Sequence, residues 1–163
     1  MADVGPSAWA IRDDGGLVES LPDPNNIDRS EDELANMLRE RSEDVRVEWL
    51  SKLVVRLPYA GFLLAGRVML SRASARRLVE ATVDFSDPST LQWWLEFYVK
   101  VCGLRRGLMM IDQWRLVRPE TFQRARYWAV KLPPVRTPEG LKLYKEFRDR
   151  WAKPVAERGN PNS

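Results

Sequence analysis

Proline cuts this chain into short segments, and within most of them the apolar residues recur with the period of a helix. Pro58, Pro88, Pro119, Pro133–Pro134, Pro138 and Pro154 stand where apolar stripes begin or stop. Proline lacks an amide hydrogen and has a fixed φ, so it suits the first turn of a helix and interrupts one elsewhere. No segment sustains period-two alternation, and no Asn-Gly or Asp-Gly turn joins two β-branched runs. The expected fold is all-α: a compact bundle of five to seven helices around one core, with an irregular acidic N-terminal arm and a short C-terminal tail.

The segments can be read one by one. Ser30 and Glu33 form a capping box, with the hydroxyl placed for the Glu33 amide and the carboxylate able to reach back. Leu34, Leu38, Val45, Trp49, Leu53 and Leu57 follow as a drifting amphipathic stripe, with Ser42 a candidate break and Pro58 its end. Tyr59 to Leu70 reads as a short buried helix in which Gly61 and Gly66 allow close packing. Ser71 or Ser74 caps a helix over 72–84. Asp87-Pro88 marks a helix start, and Gly103 is its C-cap. This helix, with Leu91, Trp94, Leu95, Tyr98, Val101 and Cys102 on one face, is the expected centre of the bundle. The stretch 103–118 is harder to place and reads as a short helix through Met109 and Trp114. Pro119 opens a helix to about Leu132, and Thr137-Pro138-Glu139 opens the last, to about Ala152.

The domain organisation follows: a turn-rich arm over 1–29, a basic helical domain over 30–152 and a tail over 153–163. Residues 1–33 hold nine acids and two bases, a balance of −7, while the whole chain is +3. The arm can therefore lie on the basic body or mimic a polyanion there, or remain solvated. Met1 is followed by an acidic, polar stretch rather than a secretion signal, and no apolar run is long enough to span a bilayer. The single cysteine allows no internal disulfide. A cytoplasmic protein is expected.

The 163 residues include no histidine and one cysteine, Cys102, but seven tryptophans. A Ser-His or Cys-His pair is impossible, and a zinc site lacks its ligands. No phosphate-cradling glycine motif is present. Cys102 lies on an apolar helix face and reads as a buried structural thiol. An acid/base site built from Glu80, Glu96 or Glu120 would need a pocket holding two carboxylates. No catalytic residue, metal, cofactor or small-molecule substrate is expected.

What the composition favours is contact. Twenty arginines stand against six lysines, a bias that GC-rich codon usage also produces. From Arg105 onward cations interleave with rings: Arg105, Arg106, Arg115, Arg118, Arg124, Arg126 and Lys131, with Tyr127 and Trp128. On the helix from Pro119, helical spacing puts Phe122, Ala125, Ala129 and Leu132 on one face. Arg124, Tyr127 and Lys131 take the opposite one, with Trp128 at its edge. Two cations and a ring with no acid among them suit phosphate contact plus stacking. The competing expectation is a solvated face whose rings pack on neighbouring helices. Trp49, Trp94 and Trp151 fall on apolar stripes and belong to the core. Trp9 and Trp93 are the candidates for protein contact.

The expected function is a non-catalytic helical binding or assembly subunit. It would engage a polyanionic partner, first of all nucleic-acid backbone (RNA or DNA), within a larger complex. The alternative is a protein–protein adaptor or sensory bundle, with Trp9, Trp93 and the Leu57–Leu70 segment as its contacts.

Overall fold

The computed structural model describes residues 9–11 and 17–155, with side chains from residue 20 onward. The helices gather into two compact units, residues 1–82 and 83–163. The division falls inside the stretch that the sequence reading treated as one domain, and no glycine- or serine-rich linker announces it.

The first unit opens with two short strands, β1 (Trp9–Ile11) and β2 (Leu17–Glu19), paired antiparallel with Ala10 opposite Val18. The arm is thus partly ordered where an irregular chain was expected. Three-residue strands are too short to display the alternation by which strands are recognised in a sequence. Farther along, the Trp49 indole donates to the Pro22 carbonyl at 2.8 Å, and Arg56 donates to the Pro24 carbonyl at 2.6 Å.

Helix α1 (Glu31–Arg39) starts as its capping residue dictates, the Ser30 hydroxyl accepting from the Glu33 amide at 3.2 Å. The reciprocal half of the box is not made; the Glu33 carboxylate lies 3.7 Å from Arg29 instead. Ser42 breaks the stripe by capping α2 (Glu43–Arg56), accepting from the Val45 amide at 3.3 Å. Pro58 then begins α3 (Pro58–Ala65) directly. This helix is apolar all round. Its inner side buries Phe62 and Leu64, while Tyr59 and Leu63 face out. Gly61 lets α2 and α3 touch: a Cβ there would stand 2.6 Å from a Val54 methyl. Helix α4 (Arg72–Thr82) completes the unit, with Leu78 and Val79 fully buried. Each such leucine contributes about 2 kcal/mol of apolar burial.

Two side chains join these helices end to end. The Arg46 guanidinium donates to the carbonyls of Leu38, Arg39 and Val68 at 2.8, 2.7 and 3.0 Å. The Glu43 carboxylate accepts from the Ser71 amide (3.2 Å) and hydroxyl (2.7 Å) and from the Ser74 hydroxyl, all at the start of α4. The hydroxyls of Ser74 and Ser71 hold the Glu43 pKa below its ordinary value of 4.5. A carboxylate whose pKa is lowered by folding stabilises the fold above its unfolded value and loses that contribution as pH falls through the folded one. Glu43→Gln is therefore expected to cost about 1–2 kcal/mol at pH 7, allowing for solvent screening. In urea titrations, its deficit relative to the parent should shrink below pH 4.5.

The second unit begins with a 3-10 turn, Val83–Phe85. Helix α5 (Leu91–Cys102) starts three residues later than Pro88 suggests. The Asp87 carboxylate accepts from the Ser89 amide (2.8 Å) and hydroxyl (2.6 Å), so it closes a local turn rather than capping the helix. Gly103, at φ 90°, turns the chain sharply into α6 (Leu104–Val117). The close start of α6 is permitted by Gly107, where a Cβ would meet a Val99 methyl at 2.5 Å. Pro119 opens α7 (Pro119–Ala129), a 3-10 turn covers Pro133–Arg136, and α8 (Pro138–Ala152) is capped by Thr137. Trp94, Trp114, Phe122 and Trp151 are buried, Phe122 and Trp151 meeting edge to face at 5.6 Å.

The described residues thus form eight α-helices rather than five to seven. The eighth comes from the break at Ser42, which divides the first stripe into α1 and α2.

Candidate nucleic-acid interface

Helix α7 places its side chains as its spacing requires. Phe122, Ala125 and Ala129 are buried, whereas Arg124 and Tyr127 are exposed and Trp128 is half-buried; the helix ends at Ala129 rather than near Leu132, so the exposed Lys131 stands in the turn after it. The exposed group is held in order. The Trp128 indole donates to the Pro88 carbonyl at 3.0 Å. Tyr127 meets Trp128 edge to face, with centroids 5.1 Å apart. The Lys131 ammonium donates to the Tyr127 hydroxyl at 2.7 Å and stands 3.9 Å from that ring's centre and 4.9 Å from the Trp128 ring. Cation–π attraction and this hydrogen bond order a lysine that would otherwise sample many rotamers.

Pro88, Ser89, Arg124, Tyr127 and Trp128 line a cleft of about 320 Å3. Pro88 and Ser89 were missed from the sequence, where Asp87-Pro88 served only as a helix start. The cleft also has an acidic neighbour. Asp87 has its pKa lowered by the Ser89 hydroxyl and amide and, to a smaller extent, by the charge of Arg124. The face is therefore not free of acids, as the helix taken alone implied.

The other cations of the expected site divide into two groups. Arg105 and Arg106 are exposed in the first turn of α6, with no ion pair or hydrogen bond to any described residue. The N-cap there is Gly103, without a side-chain cap, and the turn holds no acid. Cations at the positive end of a helix cost about 0.3–1 kcal/mol each. Arg115, Arg118 and Arg126 are instead committed within the unit. Arg115 donates to the carbonyls of Lys153 (2.6 Å) and Arg150 (3.4 Å), capping α8. Arg118 bonds Asp84 at 2.9 Å. Arg126 packs over the Phe122 ring at 5.6 Å and reaches the Gln123 amide oxygen at 3.4 Å. The structure brings Arg124, Tyr127, Trp128 and Lys131 together and puts these three arginines to other use.

Of the tryptophans assigned to protein contact, Trp93 is half-buried on α5 and has a partner within the fold. The Trp9 side chain lies outside the described residues. A second cleft, of about 470 Å3, holds two carboxylates, Asp84 and Glu120, with Arg118 already bonded to the first. Among the described residues no three potential metal ligands converge, and no helix is long and apolar enough to cross a membrane. No family model, no curated protein and no solved structure matches the chain.

Proposed function

We propose that the second unit binds a polyanion, nucleic-acid backbone in particular, through Arg124 and Lys131, assisted by Arg105 and Arg106. The observation that supports this reading best is the Tyr127–Trp128–Lys131 group, ordered by hydrogen bonds and ring contacts, with the exposed Arg124 lining the same cleft. Backbone contacts of this kind position a nucleic acid without reading its sequence. Each cation that meets a phosphate releases counterions, so binding weakens steeply with salt. Four such contacts to a single strand give a log–log slope near −3, or about a fifty-fold loss between 50 and 200 mM salt.

The test is a salt series with a labelled oligonucleotide. Charge reversal by R124E together with K131E is expected to weaken binding about tenfold or more and to halve the slope, with unchanged circular dichroism. Affinity that stays flat across the series would refute the reading. The protein–protein alternative draws on a different observation, the outward Leu57, Tyr59 and Leu63 around α3 in the first unit. It predicts a complex indifferent to R124E and K131E but broken by Y59A with L63A.

A further inference from the structure

A polyanion needs only charge, yet the cation-bearing face of α7 borders an apolar cleft. We infer that this cleft accepts one unpaired base, so that the face prefers single-stranded nucleic acid to duplex. The inference rests on the polyanion reading for its flanking charge.

Several features point to an unpaired base as the occupant. Tyr127 is 60 % exposed although it borders the cleft, so a large ring face is left to water. Its orientation is set in advance by Lys131 and by Trp128, which is itself tethered to the Pro88 carbonyl. A platform ordered before binding loses little entropy when a ring settles on it. Lys131 contacts the tyrosine ring but is not among the residues that line the cleft. At about 320 Å3 the cleft is at the small end of ligand sites and suits one planar ring system.

Charge sets the direction of the occupant. Arg124 lines the cleft and Lys131 flanks it, so phosphates on either side of the base meet cations. The Asp87 carboxylate beside Ser89, partly offset by the charge of Arg124, disfavours a phosphate close to Ser89 and favours the uncharged base there. The Trp128 N–H is already spent on Pro88, so this ring offers a surface and no donor. Stacking of that kind tolerates any base. In a duplex the base faces are covered by their neighbours and cannot enter.

The experiment compares three probes of equal length at one moderate salt concentration by fluorescence anisotropy: a mixed-sequence single strand, its duplex, and a single strand of abasic sugar-phosphate. The base-bearing single strand should bind about five- to a hundredfold tighter than the abasic one, and tighter than the duplex. Y127A should bring the ratio of base-bearing to abasic affinity to about one, and because Tyr127 also orders Lys131, that ratio rather than the abasic affinity is the readout. Y127F, which keeps the ring and loses only the hydroxyl, should retain the preference. Equal affinity for base-bearing and abasic strands, duplex binding as tight as single-strand binding, or a preference that survives Y127A would overturn the cleft and leave the polyanion reading standing. Absence of salt-dependent binding to all three probes would overturn both.

Discussion

Replacing Gly140 by alanine is expected to destabilise the second unit by about 3 kcal/mol or more, although the same change in an open helix stabilises it by about 1 kcal/mol. The reversal of sign comes from one close approach. A Cβ on Gly140 would lie 1.8 Å from the Pro134 carbonyl oxygen and 2.7 Å from its carbon. Both are backbone atoms of a proline-stiffened 3-10 turn and cannot swing aside as a side-chain tip would. Relief requires moving either that turn or the first turn of α8. Thr137 ties the two together, donating to the Pro134 carbonyl at 2.8 Å and accepting from the Gly140 amide at 3.0 Å. The shift therefore also strains the helix cap, a contribution of about 1 kcal/mol. Gly66→Ala is the control. There the nearest atom is an ordinary 3.5 Å away and φ is −65°, so alanine should be neutral or mildly stabilising. Urea unfolding followed by circular dichroism separates the two outcomes, and a Gly140→Ala protein as stable as its parent would contradict the packing described for α8.

Arg46→Ala should cost about 3 kcal/mol in the first unit. Its guanidinium satisfies three carbonyls, two at the C-terminus of α1 and one in the turn after α3. Those carbonyls end a helix whose dipole already favours a cation there. Charge-assisted hydrogen bonds contribute more than neutral ones, and alanine would leave the carbonyls to imperfect solvation. Arg46→Lys tests geometry against charge. An ammonium is a point donor without the planar fork, so it should recover less than half of the loss. Full recovery by lysine, read from urea midpoints, would mean that charge alone suffices.

These two residues also mark the limit of what the sequence conveys. Capping and periodicity are local, so Ser30, Ser42 and the faces of α7 and α8 could be read from neighbouring residues. The grouping of Arg124, Tyr127 and Lys131 was legible for the same reason, since α7 and the turn that follows it bring close neighbours in sequence together. The Arg46 clamp joins residues eight, seven and twenty-two positions away. No period relates those distances, and an arginine on an amphipathic helix looks solvated until its neighbours are placed. Arg115 and Arg118 likewise read as plain surface cations, and their contacts with the end of α8 and with Asp84 come from residues more than thirty positions away. Pro88 joins the cleft through its carbonyl contact with Trp128, forty residues later. The division of the helices at Thr82 was equally invisible, because both sides carry the same kinds of apolar stripe.

The uncapped start of α6 has a consequence for anyone who optimises this protein. Arg105 and Arg106 are poor choices for a helix N-terminus, and two glutamates would suit it better, whereas Gly103 is fixed by its φ of 90°. A variant library sorted only for heat resistance should therefore discard both arginines early. If their positive charge serves the partner, the hardiest survivors of such a screen would be its weakest binders.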